Sequence, residues 1–333
     1  MVNQLSSKVL IAVDNQECTD TAIQSVLARQ WERDTTFLLC KVVEDLGSIM
    51  NTYDNEHSDV LKAEQEAYTY EMRLWLSQIT ADFAKVQPQV ESCLEFGRAA
   101  EKLCELAYSW GADYIILGSH DLELASRCSL GSIASAVLRN APCSVESVRS
   151  SELRKLFRES GTATEQEIAL IATHPPKTII VATDLSPAAD FALNWVVSMN
   201  WNPATVFRII TVMLPNHKDV RTHWFGGGSV FIKEKLHLNQ IEAHLKKQAQ
   251  QLAEKYGYDK VEATVVMADS AAEAILELAN NCQAELVVTG AQGANRSPKA
   301  RAGSTAISIL ERLHCSMIAV QSDSQKQASF TWH

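Results

Sequence analysis

Glycines, small hydroxyls and basic side chains gather between residues 290 and 305 in a spacing that suits phosphate. Gly290, Gly293 and Gly303 follow the pattern G-x2-G-x9-G, and Ser304 and Thr305 come directly after. Gly290 lets the chain leave an apolar run sharply. Gly293 removes a side chain where phosphates would touch backbone. Gly303 and Ser304 open a helical segment, whose free N–H groups and positive dipole end attract anions. Arg296, Lys299 and Arg301 make the intervening loop basic. Asp184 closes an earlier apolar run and can reach the same crevice, because ligands of open α/β sheets sit beyond the carboxyl ends of the strands. The plain alternative is that the glycines shape a turn and pack a helix. The strand before them, the helix after them and the basic loop between favour binding. No Gly-Lys-Ser/Thr ends the pattern, so it is not a Walker motif, and its glycines are too widely spaced for the dinucleotide fingerprint. No base, nucleophile and orienter assemble around it by spacing, which speaks against an enzyme beyond slow ATP turnover.

The elements that position this cluster occur twice. Ala99-Ala100-Glu101 matches Ala271-Ala272-Glu273, Gly118 matches Gly290, Gly131-Ser132 matches Gly303-Ser304, and Cys143-Ser144 matches Cys315-Ser316. Further upstream, Ala12-Val13-Asp14 matches Ala182-Thr183-Asp184. A repeat of this kind marks a duplicated domain. In the first copy, residues 9–14, 35–43, 89–96, 113–119 and 143–148 read as buried strands; in the second, residues 178–184, 205–213, 261–268, 284–291 and 316–321 do so. Helical stripes lie between them: Tyr68, Met72, Trp75, Ile79 and Phe83 in the first, Leu238, Ile241, Leu245, Leu252 and Tyr256 in the second. Near-continuous Val/Ile/Leu strands alternating with helices predict an α/β fold, a parallel sheet covered on both faces. The expected division is a domain over 1–150, a linker over 151–176, a domain over 177–323 and a tail over 324–333. His174-Pro175-Pro176 stops any helix before the second domain.

The G-x2-G-x9-G-S pattern after a fourth strand resembles the ATP-binding signature of universal stress proteins. So do the Asp closing the first strand and the final strand after a Cys-containing turn. The resemblance covers nearly all of both halves. It implies two tandem open five-stranded sheets in the order 3-2-1-4-5, a cytoplasmic role in the stress response, and ATP as ligand, with or without magnesium. It further implies that Asp184 and Val212 lie at the nucleoside end, that Gly290, Gly293, Gly303, Ser304 and Thr305 hold the phosphates, and that Ala182 and Thr289 line the neighbouring wall. Arg296 joins this set from the basic loop. Single-domain members pair through their last strands. The two halves are therefore expected to pack as an intramolecular pseudo-dimer through 143–148 and 316–321, which would cover edges that otherwise invite aggregation. Whole chains can pair further as a homodimer.

The first half departs from the pattern at one place. It keeps Asp14, Gly118, Gly131 and Ser132, but Asp121 stands where Gly293 stands. Glu123 follows, and Arg127 is the basic residue of that loop. Two like unit charges about 4 Å apart repel by roughly 4 kcal/mol at an effective dielectric near 20. That disfavours a polyphosphate and leaves a neutral nucleoside, or no ligand, for the first half. A magnesium site at Asp121 would need more than one carboxylate.

Composition bounds the partners. The chain of 333 residues carries a net charge of −10 with a pI near 5.4, and 46% of its residues are hydrophobic. An acidic chain lacks the basic field that broad nucleic-acid binding needs. No apolar run approaches the ~20 residues of a membrane span, and the opening residues lack the apolar core of a signal peptide. Eight scattered cysteines without a C-x-x-C pair read as reduced thiols. His217, His223, His237 and His244 lack the supporting ligands of a metal centre and read as solvated or interface groups. The run Trp224–Ser229 reads as a long loop, with a mobile lid as the sharper reading. The leading expectation is an ATP-binding regulatory protein that acts on an unknown protein partner. The alternatives are a nucleotide-independent interaction scaffold of the same fold and a nucleotide-using ligase or hydrolase, the last supported by fold alone.

Overall fold

A computed structural model describes residues 7–14, 16–29, 31–44, 55–119, 132–149, 176–214, 228–293 and 301–321. They group into two compact units, residues 7–149 and 176–321. Asp121, Gly131 and Arg296, the loop 119–130 beyond Ser119, most of the linker, His217, His223 and the Trp224–Gly227 run lie outside the described residues.

The first unit contains strands β1 (Lys8–Val13), β2 (Thr36–Val43), β3 (Val90–Phe96), β4 (Tyr114–Ser119) and β5 (Ser144–Arg149). Its helices are α1 (Gln16–Leu27), α2 (Asn55–Ala84), α3 (Ala99–Trp110) and α4 (Ser132–Asn140). The second unit contains β6 (Thr178–Ala182), β7 (Val206–Met213), β8 (Val261–Met267), β9 (Leu286–Gly290) and β10 (Ser316–Val320). Helices α5 (Pro187–Ser198), α6 (Gly228–Tyr256), α7 (Ala271–Asn281) and α8 (Ser304–Arg312) alternate with them.

All pairings within a unit are parallel. They give β3-β2-β1-β4-β5 in the first unit and β8-β7-β6-β9-β10 in the second. This is the expected 3-2-1-4-5 order in each, with the order reversing beside the first strand of each unit. Every strand start and end falls within two residues of the sequence expectation. The two-residue differences are at β6, which stops at Ala182 rather than running to Asp184, and at β9, which starts at Leu286 rather than at 284.

The cores repeat like the sequence. Phe37 of β2 packs edge-on against Phe83 of α2, with ring centroids 5.3 Å apart. Phe207, at the matching place in β7, meets Tyr256 of α6 at 4.9 Å. Leu10, Ile11, Ile115 and Ile116 fill the middle of the first sheet, and Ile179, Ile180, Val287 and Val288 that of the second; all are fully buried. The α2 stripe holds at Phe83 but fails at Tyr68, which is 44% exposed; Leu76, outside that stripe, is buried instead. On α6, Ile241, Leu245 and Leu252 are buried as the periodicity requires.

Local chemistry sets several helix ends. The Ser186 hydroxyl accepts from the Ala189 N–H, with Pro187 in the first turn of α5. Ser270 caps α7 in the same way through the Glu273 N–H. Gly111 ends α3 at φ 74°, the left-handed conformation that glycine adopts without strain.

Candidate functional site

Three segments converge at the carboxyl end of the second sheet: the turn after β6, the turn after β9 and the start of α8. The β6 turn is tightly held. Thr183 Oγ1 accepts from Leu185 N at 3.1 Å, and Asp184 Oδ1 accepts from Ser186 N at 3.0 Å. These bonds hold Leu185 at φ 61°, an uncommon conformation for a residue with a β-carbon. The same bonds turn the chain just after Thr183, whose N–H still donates to the Ile210 carbonyl at 2.9 Å, so β6 ends before Asp184. Asp184 itself is exposed.

Gly293 lies directly against that aspartate. A β-carbon placed on Gly293 would sit 2.8 Å from Asp184 Oδ2. Gly303 follows closely: its own β-carbon would lie 3.6 Å from Gly293 N, and its N–H donates to the Ala291 carbonyl at 2.8 Å. Gly290 packs toward α5, where a β-carbon would come within 3.1 Å of the Ala188 carbonyl carbon. The three glycines therefore play distinct parts. Gly290 seats a helix on the sheet, while Gly293 and Gly303 bring two backbone segments and a carboxylate together.

The start of α8 differs from its neighbours. Gly303 occupies its N-cap and supplies no side-chain bond, whereas serines cap α5 and α7. Ser304 and Thr305 are exposed there, and Arg301 is half-buried two residues before the cap. The register places Ala182 beside Ile210 and Thr289. Alternation along the strands then puts Ala182, Val212 and Thr289 on one face of the sheet and Gly290, which faces α5, on the other. Thr289 is 6% exposed, and its Oγ1 makes no hydrogen bond among the described residues. Of the expected site residues, Asp184, Gly293, Gly303, Ser304 and Thr305 gather at one mouth, Ala182, Val212 and Thr289 line the adjoining wall, and Gly290 braces it from behind.

The matching place in the first unit is built differently. Lys41 Nζ donates to Asp14 Oδ1 at 2.6 Å and to the Asp14 carbonyl at 3.3 Å. The lysine is 5% exposed, and the carboxylate side chain is 66% exposed. Asp14 N donates to Thr19 Oγ1 at 3.1 Å. Gly118 is pressed against α1: a β-carbon there would lie 1.9 Å from the Cys18 carbonyl oxygen. Ser132 is exposed at the start of α4. Lys41 is the residue that motif reading passes over. A single lysine inside the apolar strand TTFLLCKVV is the signal that marks it.

Among the histidines, His244 on α6 is half-exposed, and its Nε2 lies 3.1 Å from Asp190 Oδ1 on α5. Gln248 Nε2 donates to the same oxygen at 2.6 Å. The pair joins two helices of one unit and does not gather further ligands; among the described residues no cluster of three or more metal-ligating side chains occurs.

A sequence model of the Universal stress protein family matches residues 6–149 and again residues 176–321. The chain belongs to the universal stress protein family. It carries two copies of the family's domain, and membership supports a role in the stress response. A universal stress protein of Synechocystis sp. is 24% identical over 145 residues, which is 41% of this chain and 94% of that protein. Among solved structures, a universal stress protein from Archaeoglobus fulgidus superposes with a TM-score of 0.56 at 15% identity, covering 95% of this chain and 97% of its own. A functionally unknown protein from Pseudomonas aeruginosa gives 0.55 at 13% identity, with 97% and 95% covered. At such identities the structural likeness speaks for the fold. No helix among the described residues of this universal stress protein is long and apolar enough to cross a membrane.

Proposed function

We propose that this universal stress protein binds ATP in its second unit and uses the bound state to regulate a protein partner in the stress response. The single observation that carries this reading is the place of Gly293: its missing side chain lets Asp184 and Gly303 close around one point in front of an uncapped helix start. The N–H groups in the first turn of α8 receive no cap from the side chain of their N-cap residue, Gly303, and favour an anion. Ser304, Thr305 and Arg301, with Arg296 from the preceding loop, add donors suited to phosphate oxygens. Asp184 is an acceptor, suited to sugar hydroxyls or a base amino group, and Thr289 keeps a buried hydroxyl beside the same wall. The donor set thus fits a nucleotide with its phosphates on α8 and its nucleoside toward Asp184. Magnesium is expected to arrive with the triphosphate.

Among the described residues no general base, nucleophile and orienting group meet at this mouth, and binding rather than turnover is its proposed task. The test is mass spectrometry of small molecules released from protein purified under native conditions, followed by titration of stripped protein. Adenine nucleotide in the extract and saturable ATP binding agree with the reading. Protein that carries none and binds none would favour the interaction scaffold instead.

A further inference from the structure

One pairing in the first sheet sets two thiols side by side. Cys40 of β2 and Cys93 of β3 are register partners. Phe37 of β2 meets Phe83 of α2, so Cys40, three residues on, leaves the sheet on the opposite face, and Cys93 leaves it beside Cys40. Neighbouring strands run about 4.8 Å apart, and a disulfide spans Cα atoms about 4.4–6.8 Å apart. The two sulfurs are therefore within bonding reach without a change of register. Both are free thiols. Among the described residues no other strand pairing within either unit joins two cysteines. In the second unit the matching register pair is Ile210 and Thr264.

The two cysteines differ in access. Cys40 is 1% exposed in the middle of β2. Cys93 is half-exposed on β3, the outer strand of the unit. An oxidant from solvent meets Cys93 first and Cys40 only through it. The Cys40 thiol also holds Cys93 below the ordinary thiol range, against the opposing pull of burial and the Glu95 carboxylate. A larger thiolate fraction speeds attack on a peroxide. Cys18, Cys104, Cys143 and Cys315 are buried. Cys282 is half-exposed, but burial raises its thiol.

We propose that Cys40 and Cys93 are a dithiol oxidised by peroxides, with Cys93 the attacking residue and Cys40 the resolving one. The Cys93 thiolate attacks one peroxide oxygen. The S–O bond forms, the O–O bond breaks, and the leaving oxygen takes a proton and departs as water, or as an alcohol from an organic peroxide. Cys93 is then a sulfenic acid. The Cys40 sulfur attacks the Cys93 sulfur, the S–S bond forms, the S–O bond breaks, and the hydroxyl leaves with the Cys40 proton as water. Each sulfur gives up one electron, and the peroxide takes both. A small dithiol returns the pair to its reduced state by exchange. The bridge ties the outer strand to β2 through side chains as well as backbone. No nucleotide takes part.

The test treats the folded full chain with a rising series of hydrogen peroxide, blocks free thiols with iodoacetamide, digests without reduction and maps the peptides by mass spectrometry. A linked Cys40–Cys93 peptide is expected, cleaved by dithiothreitol, with Cys93 consumed about tenfold faster than Cys282. In Cys40→Ala, Cys93 should instead accumulate as a sulfenic acid that dimedone captures. In Cys93→Ala, Cys40 should stay reduced. Folded parent that yields no linked peptide while Cys93 is oxidised would overturn the proposal, as would Cys282 oxidised ahead of Cys93. If Cys40→Ala does not fold, judged by its melting curve, the peptide map of the parent decides alone.

Discussion

Asp184 Oδ2 lies 2.8 Å from the point where a β-carbon on Gly293 would stand. The residue expected at the nucleoside end and a glycine expected at the phosphate end are thus direct neighbours. Adding a methyl group at Gly293 forces the carboxylate to move, without introducing charge. Gly293→Ala should therefore weaken ATP binding about tenfold or more, and Gly293→Asp should abolish it, since a second carboxylate then faces the first. The clash meets the end of a flexible side chain at an exposed position, so both variants should melt near the parent. Calorimetric titration checks the ranking; parental affinity in Gly293→Asp would make the glycine purely structural.

Gly118 and Gly290 carry the same letter in the motif but differ in tolerance. A β-carbon at Gly118 would overlap the Cys18 backbone at 1.9 Å, and backbone cannot swing aside. At Gly290 the nearest backbone atom is 3.1 Å away, so a shift of a few tenths of an ångström suffices. Gly118→Ala should cost upward of about 3 kcal/mol and Gly290→Ala about 1 kcal/mol, by overpacking. Urea unfolding followed by fluorescence measures both, and equal costs would contradict the packing described.

The first unit holds a buried ion pair that its copy lacks. Arg29 Nη1 and Nη2 donate to Glu146 Oε2 and Oε1 at 2.6 and 2.5 Å, and Ser25 Oγ adds a bond at 2.8 Å. Glu146 is 1% exposed on its side chain. Arg29→Ala would strand that carboxylate and should cost about 3–5 kcal/mol, while Arg29→Met with Glu146→Leu should cost less. Denaturation midpoints of the three proteins decide the order.

Much of this was legible from residue types because buried parallel strands write themselves as unbroken apolar runs. The expectation of 205–213 against β7 at Val206–Met213 is representative. Less was legible where a side chain chooses its partner in space. The early end of β6 comes from Thr183 and Asp184 bonding their own backbone, which strand periodicity does not register. Lys41 is not legible by motif because its spacing from Asp14 means nothing until β1 and β2 are paired. Tyr68 continued an apolar stripe that the helix carries to the surface. Asp121, on which the sequence contrast between the halves turned, lies outside the described residues.

Cys40 and Cys93 are register partners on adjacent strands, and their thiols interact. The Cys40 thiol beside it holds the half-buried Cys93 thiol below the ordinary range, and Cys93, together with burial, pushes Cys40 up. Burial also raises Cys282, which is similarly half-exposed. Alkylation by iodoacetamide across a pH series should therefore label Cys93 at lower pH than Cys282, with Cys40 protected until unfolding. Peptide mass spectrometry reads the order; Cys282 or Cys40 reacting before Cys93 would contradict it.

The claim that matters most is that one unit of this universal stress protein receives the nucleotide. Stripped full-length protein should be titrated with ATP and the number of sites per chain determined. One site is expected, lost in Gly293→Asp and retained when Asp14 is replaced by alanine. Two sites of similar affinity, or a single site abolished by Asp14→Ala, would contradict the account.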